Sequence, residues 1–200
     1  MDTPEDIARE DGYAEIYDEI SSEAIAEFTT DRLRSYYLRN PSLARNVLAI
    51  YREAKSLADS SPTAALVLYT TAIEVALKSA VLKPVIYGLV HNESVAELVS
   101  DLVVRNNGID RFKSILAAIL HEYSEIDFNT HKIEGHTKTI WEEITMVQSA
   151  RNAVAHRAEP ATSEVAELAK QVAAAIIIDI LQGILADFGL QLQMEGDIGA

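Results

Sequence analysis

The chain has no cysteine among its 200 residues. Disulfides and thiolate metal centres are therefore excluded, and a reducing cytosol is the natural setting for such a composition. Glycine and proline are scarce, at 8 and 5, while alanine, leucine, isoleucine and glutamate are abundant, which favours helices over sheets. No alternating stretch is long enough to predict a strand, no internal repeat recurs and no linker separates two parts. The longest apolar run, 172–185, is too short for a bilayer and is interrupted by Asp179, Gln182 and Gly183. The first residues, Met1-Asp2-Thr3-Pro4-Glu5-Asp6, are acidic and do not read as a secretory signal. A Walker loop and a serine-centred nucleophile elbow are both missing. His121, Glu122, His131, Glu134 and His136 cluster in sequence but match no recognised ligand spacing. The expectation is a soluble, cytoplasmic, all-α protein with no membrane association, no metal and no cofactor.

What is present is enough apolar material, 48%, for one sizeable core. The formal charge of −14 argues against a nucleic-acid partner until its distribution is considered. Residues 1–30 hold ten acids and one base, residues 157–200 hold seven acids and two bases, and residues 31–156 hold fourteen of each sign. The middle is therefore neutral. Within it Arg32, Arg34, Arg39, Arg45, Arg52 and Lys55 gather around Tyr36, Tyr37 and Tyr51. Such a stretch can follow an RNA backbone and stack bases, with Arg32, Arg34, Tyr36, Tyr37 and Arg39 as the candidate contacts. The alternative is a solvated amphipathic helix face.

Apolar positions between the acids of the first thirty residues predict one or two acidic helices. Asn40-Pro41-Ser42 opens a helix to about Ala58, and Asp59-Ser60-Ser61-Pro62 opens another that is expected to stop at Pro84. Ser94 with Glu97 caps a weaker helix to about Arg105, and Asn106-Asn107-Gly108 forms a turn. Further helices are predicted over 110–123, 137–156 and from Ser163 to near Gly189. The predicted architecture is a bundle of four or five principal helices over 41–188, with an acidic helical extension over 1–40 and a tail over 189–200.

Chemistry concentrates in Arg151-Asn152-Ala153-Val154-Ala155-His156. Arginine holds phosphate oxygens bidentately, and histidine exchanges a proton near neutral pH. These are the groups needed to cleave an RNA phosphodiester without a metal. Asn152 and His156, four residues apart, share a helix face, whereas Arg151 lies about 140° round from His156. Two features reconcile them within one chain: the reach of arginine, and fraying of the helix ahead of Pro160. A second subunit resolves the mismatch more simply. The plain alternative is a cationic helix end that complements the helix dipole.

Arg151-x4-His156, with asparagine directly after the arginine, resembles the Arg-x4-6-His motif of the HEPN superfamily (higher eukaryotes and prokaryotes nucleotide-binding). The motif falls near the end of the penultimate helix, and a long apolar helix follows. Upstream, Ala72 to Lys78 resembles the helix with a Glu-x3-Lys pattern found in several branches, here Glu74 and Lys78. The resemblance covers roughly residues 41–188. It implies a HEPN-like helical bundle, usually a homodimer, with two motifs meeting across the twofold axis. It further implies a metal-independent endoribonuclease of a toxin–antitoxin or antiviral defence system, held by an antitoxin or regulatory protein. The alternative within the family is a non-catalytic module that binds a nucleotide or a protein. One branch is controlled by adenylylation of a tyrosine two residues after the histidine; Ala158 stands there, so that control does not carry over.

By this resemblance Arg151, Asn152 and His156 are the catalytic residues, and Glu74 and Lys78 support them. The implied reaction is attack of a ribose 2′-OH on its own phosphorus. Read by themselves, Glu74 and Lys78 are also an ordinary i, i+4 pair on a solvated helix.

Overall fold

The computed structural model describes residues 27–106, 109–123 and 126–200. Among these the chain is all-α, with seven helices and one short hairpin. The helices are α1 (27–39), α2 (Arg45–Leu57), α3 (Pro62–Leu89), α4 (Glu93–Asn106), α5 (Lys113–Tyr123), α6 (Ile140–Arg157) and α7 (Ser163–Asp187). Strands β1 (Gln191–Leu192) and β2 (Ile198–Gly199) pair antiparallel after them. The acidic arm expected before α1 and most of the Asn106-Asn107-Gly108 turn lie outside the described residues.

Helix starts follow side-chain chemistry. Ser61 accepts from Ala64 N with Pro62 at the first helical position, and Thr162 accepts from Val165 N. For α4 the cap is Asn92, whose Oδ1 accepts from Val95 N at 3.2 Å, two residues earlier than the expected Ser94. Ala161 N donates to Thr63 Oγ1 at 3.0 Å, which pins the α6–α7 connection against the start of α3. Thus α3 and α7 start at one end of the bundle, and α2 and α6 run back towards it. Leu66, Ile73 and Leu77 of α3 meet Ile144 and Val147 of α6 and Val172, Ile176 and Ile180 of α7 in the buried core.

Both long helices are long and apolar enough to cross a membrane by length and composition, a test that the interrupted run 172–185 did not suggest. Within the bundle 61% of the apolar window of Pro62–Leu89 and 56% of that of Ser163–Asp187 are buried. Their apolar faces are turned on each other and on their neighbours.

The expected stop at Pro84 does not occur. Over Ala76–Leu82 the helix widens to π geometry, with Lys83 N donating to Lys78 O, and it then continues to Leu89. Proline lacks the N–H that an α-helix would direct to the carbonyl four residues back, that of Ala80. The buried Tyr37 hydroxyl donates to Ala80 O at 2.8 Å and fills that place. A matching π segment in α7, Ile176–Leu181, packs against the one in α3.

Helix α1 lies across the far ends of both long helices. Arg32 donates to the carbonyls of Tyr87, Gly88 and Val90 at 2.9–3.1 Å, and Arg34 donates to Phe188 O at 3.1 Å. Each guanidinium meets orphan carbonyls at a negative dipole end. Leu33 packs on Gly88 so closely that a Cβ there would lie 2.9 Å from Leu33 Cγ. Leu33, Tyr36 and Tyr37 are buried, so α1 packs against the rest of the helices.

The tail over 189–200 is likewise docked. Ile198 is buried and its N–H donates to Pro41 O at 2.8 Å. Arg45 holds Asp197 through two bonds of 2.6 and 2.8 Å, which keeps the Asp197 carboxyl below its usual range. Arg52 donates to Met194 O. Gly196 has φ +90°, and a Cβ on it would lie 2.7 Å from Arg45 Cα.

Replacing Tyr37 with Phe leaves the Ala80 carbonyl buried without a donor. The expected loss is about 2 kcal/mol, seen as a fall of roughly 4–8 °C in the melting temperature. Gly196→Ala forces both a left-handed φ and a backbone clash. It is expected to cost about 2 kcal/mol and to raise amide exchange across 190–200 selectively, measured by hydrogen–deuterium exchange.

Candidate functional site

The residues expected to carry chemistry sit on the second half of α6. Its start is fixed by a capping box, in which Thr139 Oγ1 accepts from Glu142 N and Glu142 Oε2 accepts from Thr139 N at 2.8 Å. Its end is fixed by Ala158, which has φ 54° and returns its N–H to Ala153 O. Ala158 is the sole non-glycine residue with positive φ among the described residues, a strain of about 1–2 kcal/mol. The helix is regular to Arg157 and stops abruptly ahead of Pro160. The fraying expected near His156 is therefore absent, because the left-handed residue ends the helix in one step.

Without fraying, the angular mismatch between Arg151 and His156 stands. The arginine's reach reduces it: Arg151 Nη1 donates to Asn152 Oδ1 at 3.2 Å. Asn152 and His156 are exposed on one face, and Arg151, half-buried beside it, carries its guanidinium onto that face. His156 makes no hydrogen bond to either residue among the described contacts. Thr145, Ser149, Asn152 and His156 form an exposed strip along the outer side of α6.

The partners of Arg151 set it apart. Arg32, Arg34 and Arg52 bond backbone carbonyls, Arg45 and Arg157 hold Asp197 and Glu159, and Arg39 lies 3.6 Å from Glu93. Arg151 has neither a carboxylate nor a backbone carbonyl among the described residues; its bonded group is a neutral amide. No counter-charge for it lies among the described residues.

Glu74 and Lys78 form an i, i+4 ion pair at 4.0 Å, with Lys78 already in the π segment. Glu74 is eleven residues up α3 from Thr63, about 16 Å along the axis. The end of α6 lies at the Thr63 level. Neither side chain bonds Arg151, Asn152 or His156. The basic stretch is not assembled as one strip either. Arg32 and Arg34 cap helices, Tyr37 is 1% exposed and Tyr36 is stacked on Tyr87 with ring centroids 4.8 Å apart. The two tyrosines present no free face to a stacking base, because their rings are part of the core.

One buried polar pair escaped the sequence reading. Glu143 is 4% exposed, and its Oε1 lies 2.7 Å from His136 Nδ1 while Oε2 has no partner among the described residues. The signal was available, since Glu143 falls within the apolar stripe Ile140, Ile144, Val147. The pair anchors the loop 126–139 to α6. No group of three or more His, Asp or Glu residues placed to hold a metal ion occurs among the described residues. A cavity of about 540 Å³ among the described residues is an apolar groove between Val85 and Leu89 of α3 and Ile115 and Ile119 of α5. Its sole titratable group is Glu122, so it concentrates no chemistry.

No family model, curated protein or solved structure matches the chain.

The exposed pair on α6 and the buried His136–Glu143 pair are expected to respond unequally to substitution. Asn152→Ala and His156→Ala remove exposed side chains and should leave stability within about 0.5 kcal/mol. His136→Ala strands a buried carboxylate and should cost about 3 kcal/mol. Urea unfolding of the three variants measures the contrast.

Proposed function

We propose that the chain is a metal-independent endoribonuclease of the HEPN type that acts as a homodimer. The observation that carries this reading is the Arg151 guanidinium, without a counter-charge among the described residues and bonded to Asn152 on the face that presents His156. An anion such as a phosphodiester is what that charge lacks. One chain supplies one arginine and one histidine; general acid–base cleavage needs a base and an acid. A second copy seated on the exposed strip of Thr145, Ser149, Asn152 and His156 supplies the missing pair.

In the proposed reaction one His156 takes the proton of a ribose 2′-OH as the oxygen attacks the adjacent phosphorus. The His156 of the second copy gives a proton to the departing 5′-oxygen, leaving a 2′,3′-cyclic phosphate and a 5′-OH. The two Arg151 guanidinium groups stabilise the charge that builds on the non-bridging oxygens. Asn152 positions Arg151 through the bond it already makes. Glu74 and Lys78 act at a distance, through the packing of α3 on α6. The setting that the resemblance supplies is a cytoplasmic toxin–antitoxin or antiviral system, with an antitoxin or regulatory protein restraining the enzyme.

The test is cleavage of a mixed RNA pool in EDTA, with sedimentation to establish the dimer. Arg151→Ala and His156→Ala are each expected to lower the rate by about 100-fold or more. Mixing His156→Ala chains with parent chains should lower the activity more than in proportion to dilution, because each heterodimer then lacks either the acid or the base. Cleavage that ignores both substitutions would sink the proposal. A dimer with no cleavage of any RNA would make the chain a binding module instead.

A further inference from the structure

A second site lies at the opposite end of the bundle. Where α1 ends against the last turns of α3, the surface sinks into a slot of about 250 Å³ lined by Tyr36, Arg39, Asn40, Lys83, Tyr87 and Glu93. Tyr87 is 24 residues along α3 from Thr63, roughly 36 Å from the level at which α6 ends. The slot is therefore separate from Arg151 and His156.

Its lining is rich in donors. Tyr36 is 7% exposed as a residue, and its hydroxyl, which bonds nothing among the described residues, is not among the sealed polar atoms and opens to the slot. Burial, the neighbouring Tyr87 and, in the opposite sense, Arg39 act on that hydroxyl, whose pKa is pushed up to about 12, so it remains a donor. Tyr87 is held protonated in the same way by burial and by Glu97, Asp101 and Glu93. The Lys83 ammonium lies 5.8 Å over the Tyr87 ring and has no carboxylate partner among the described residues. Arg39 and Glu93 are 3.6 Å apart with exposures of 65% and 77%, a loose surface pair that separates at little cost. Asn40 is already committed, donating to Tyr36 O at 2.8 Å, which shapes the floor of the slot.

Two phenol donors and two cations call for an acceptor-rich anion. The volume is below the range of about 300–1,000 Å³ typical of sites for drug-sized molecules, so the ligand is small. The acids of α4 near the rim, Glu93, Glu97 and Asp101, repel an extended polyanion but accept from sugar hydroxyls. We propose that this slot binds the phosphate group of a small ligand, either inorganic phosphate or a phosphate monoester of a small polyol. Tyr36 and Tyr87 donate to it and Lys83 and Arg39 neutralise it.

Calorimetric titration of the full chain with inorganic phosphate, and separately with ribose 5-phosphate, tests the assignment at matched ionic strength. Saturable binding of at least one probe is expected; tighter binding of the ester assigns the monoester, and equal binding assigns the free ion. Tyr36→Phe and Lys83→Gln should each weaken binding by about tenfold. Tyr36→Phe should leave the melting temperature of the unliganded protein unchanged, because the hydroxyl it removes bonds nothing within the fold. Arg151→Ala should leave phosphate binding unchanged. The proposal is overturned if neither probe saturates, if both slot variants bind as tightly as the parent chain, or if Arg151→Ala alone abolishes binding.

Discussion

The bond from the Tyr37 hydroxyl to the Ala80 carbonyl is the constraint on which the bundle turns. Pro84 removes a donor from the middle of a 28-residue helix, and an unpaired carbonyl in a dry core would ordinarily end the helix there. Tyr37 supplies the donor from another helix, and the π segment gives the proline ring the room that α geometry denies it. The solution ties α1 to α3 at a fixed height. From that height Arg32 and Arg34, on the same helix as Tyr37, reach the ends of α3 and α7. The matching π segment of α7 keeps the two long helices in contact at that level.

Much of the fold was legible because helix starts are local chemistry. Ser61-Pro62, Thr162-Ser163 and the polar residue before α4 mark their helices through a single side chain and one or two backbone N–H groups. Helix ends were less legible, because what stops or continues a helix lies elsewhere in the chain. Nothing within residues 76–84 announces that a tyrosine more than forty positions earlier completes the broken ladder. The docking of 190–200 was hidden for a similar reason. Its polar, glycine-bearing sequence reads as a tail, and its anchors are Pro41, Arg45 and Arg52, about 150 residues away.

The basic stretch shows why a run of like charges is ambiguous without coordinates. Arg32, Arg34, Arg45 and Arg52 all answer negative groups of the fold, whether carbonyls at helix ends, a carbonyl of the hairpin turn or an aspartate. Their number in the sequence reflects how many helix ends and strand turns converge on α1 and α2. Arg39 alone of the candidate contacts keeps a loose partner, and it is the one that borders the donor-rich slot. The motif on α6 was legible in identity and in face, since Asn152 and His156 follow helical spacing. What the spacing did not reveal is that Arg151 turns to Asn152 and so crosses part of the angle that separates it from His156.

The exposure of His156 and the isolation of Arg151 belong to one argument about how a bundle handles charge. An internal cation in a helical protein is matched either by a carboxylate or by the negative end of a helix, because desolvating it otherwise is costly. Arg157, one residue beyond His156, obeys that rule through Glu159 and sits where the α6 dipole welcomes it. Arg151 sits a turn and a half earlier, half-buried, with an amide in place of a counter-charge. That cation, beside an imidazole that bonds nothing among the described residues and on a helix capped at both ends, has no counter-charge among the described residues, which is the condition the proposed function builds on. The rigidity matters as much as the charge: with Thr139 and Ala158 fixing both termini of α6, a second copy laid along the strip would find the two groups already in register.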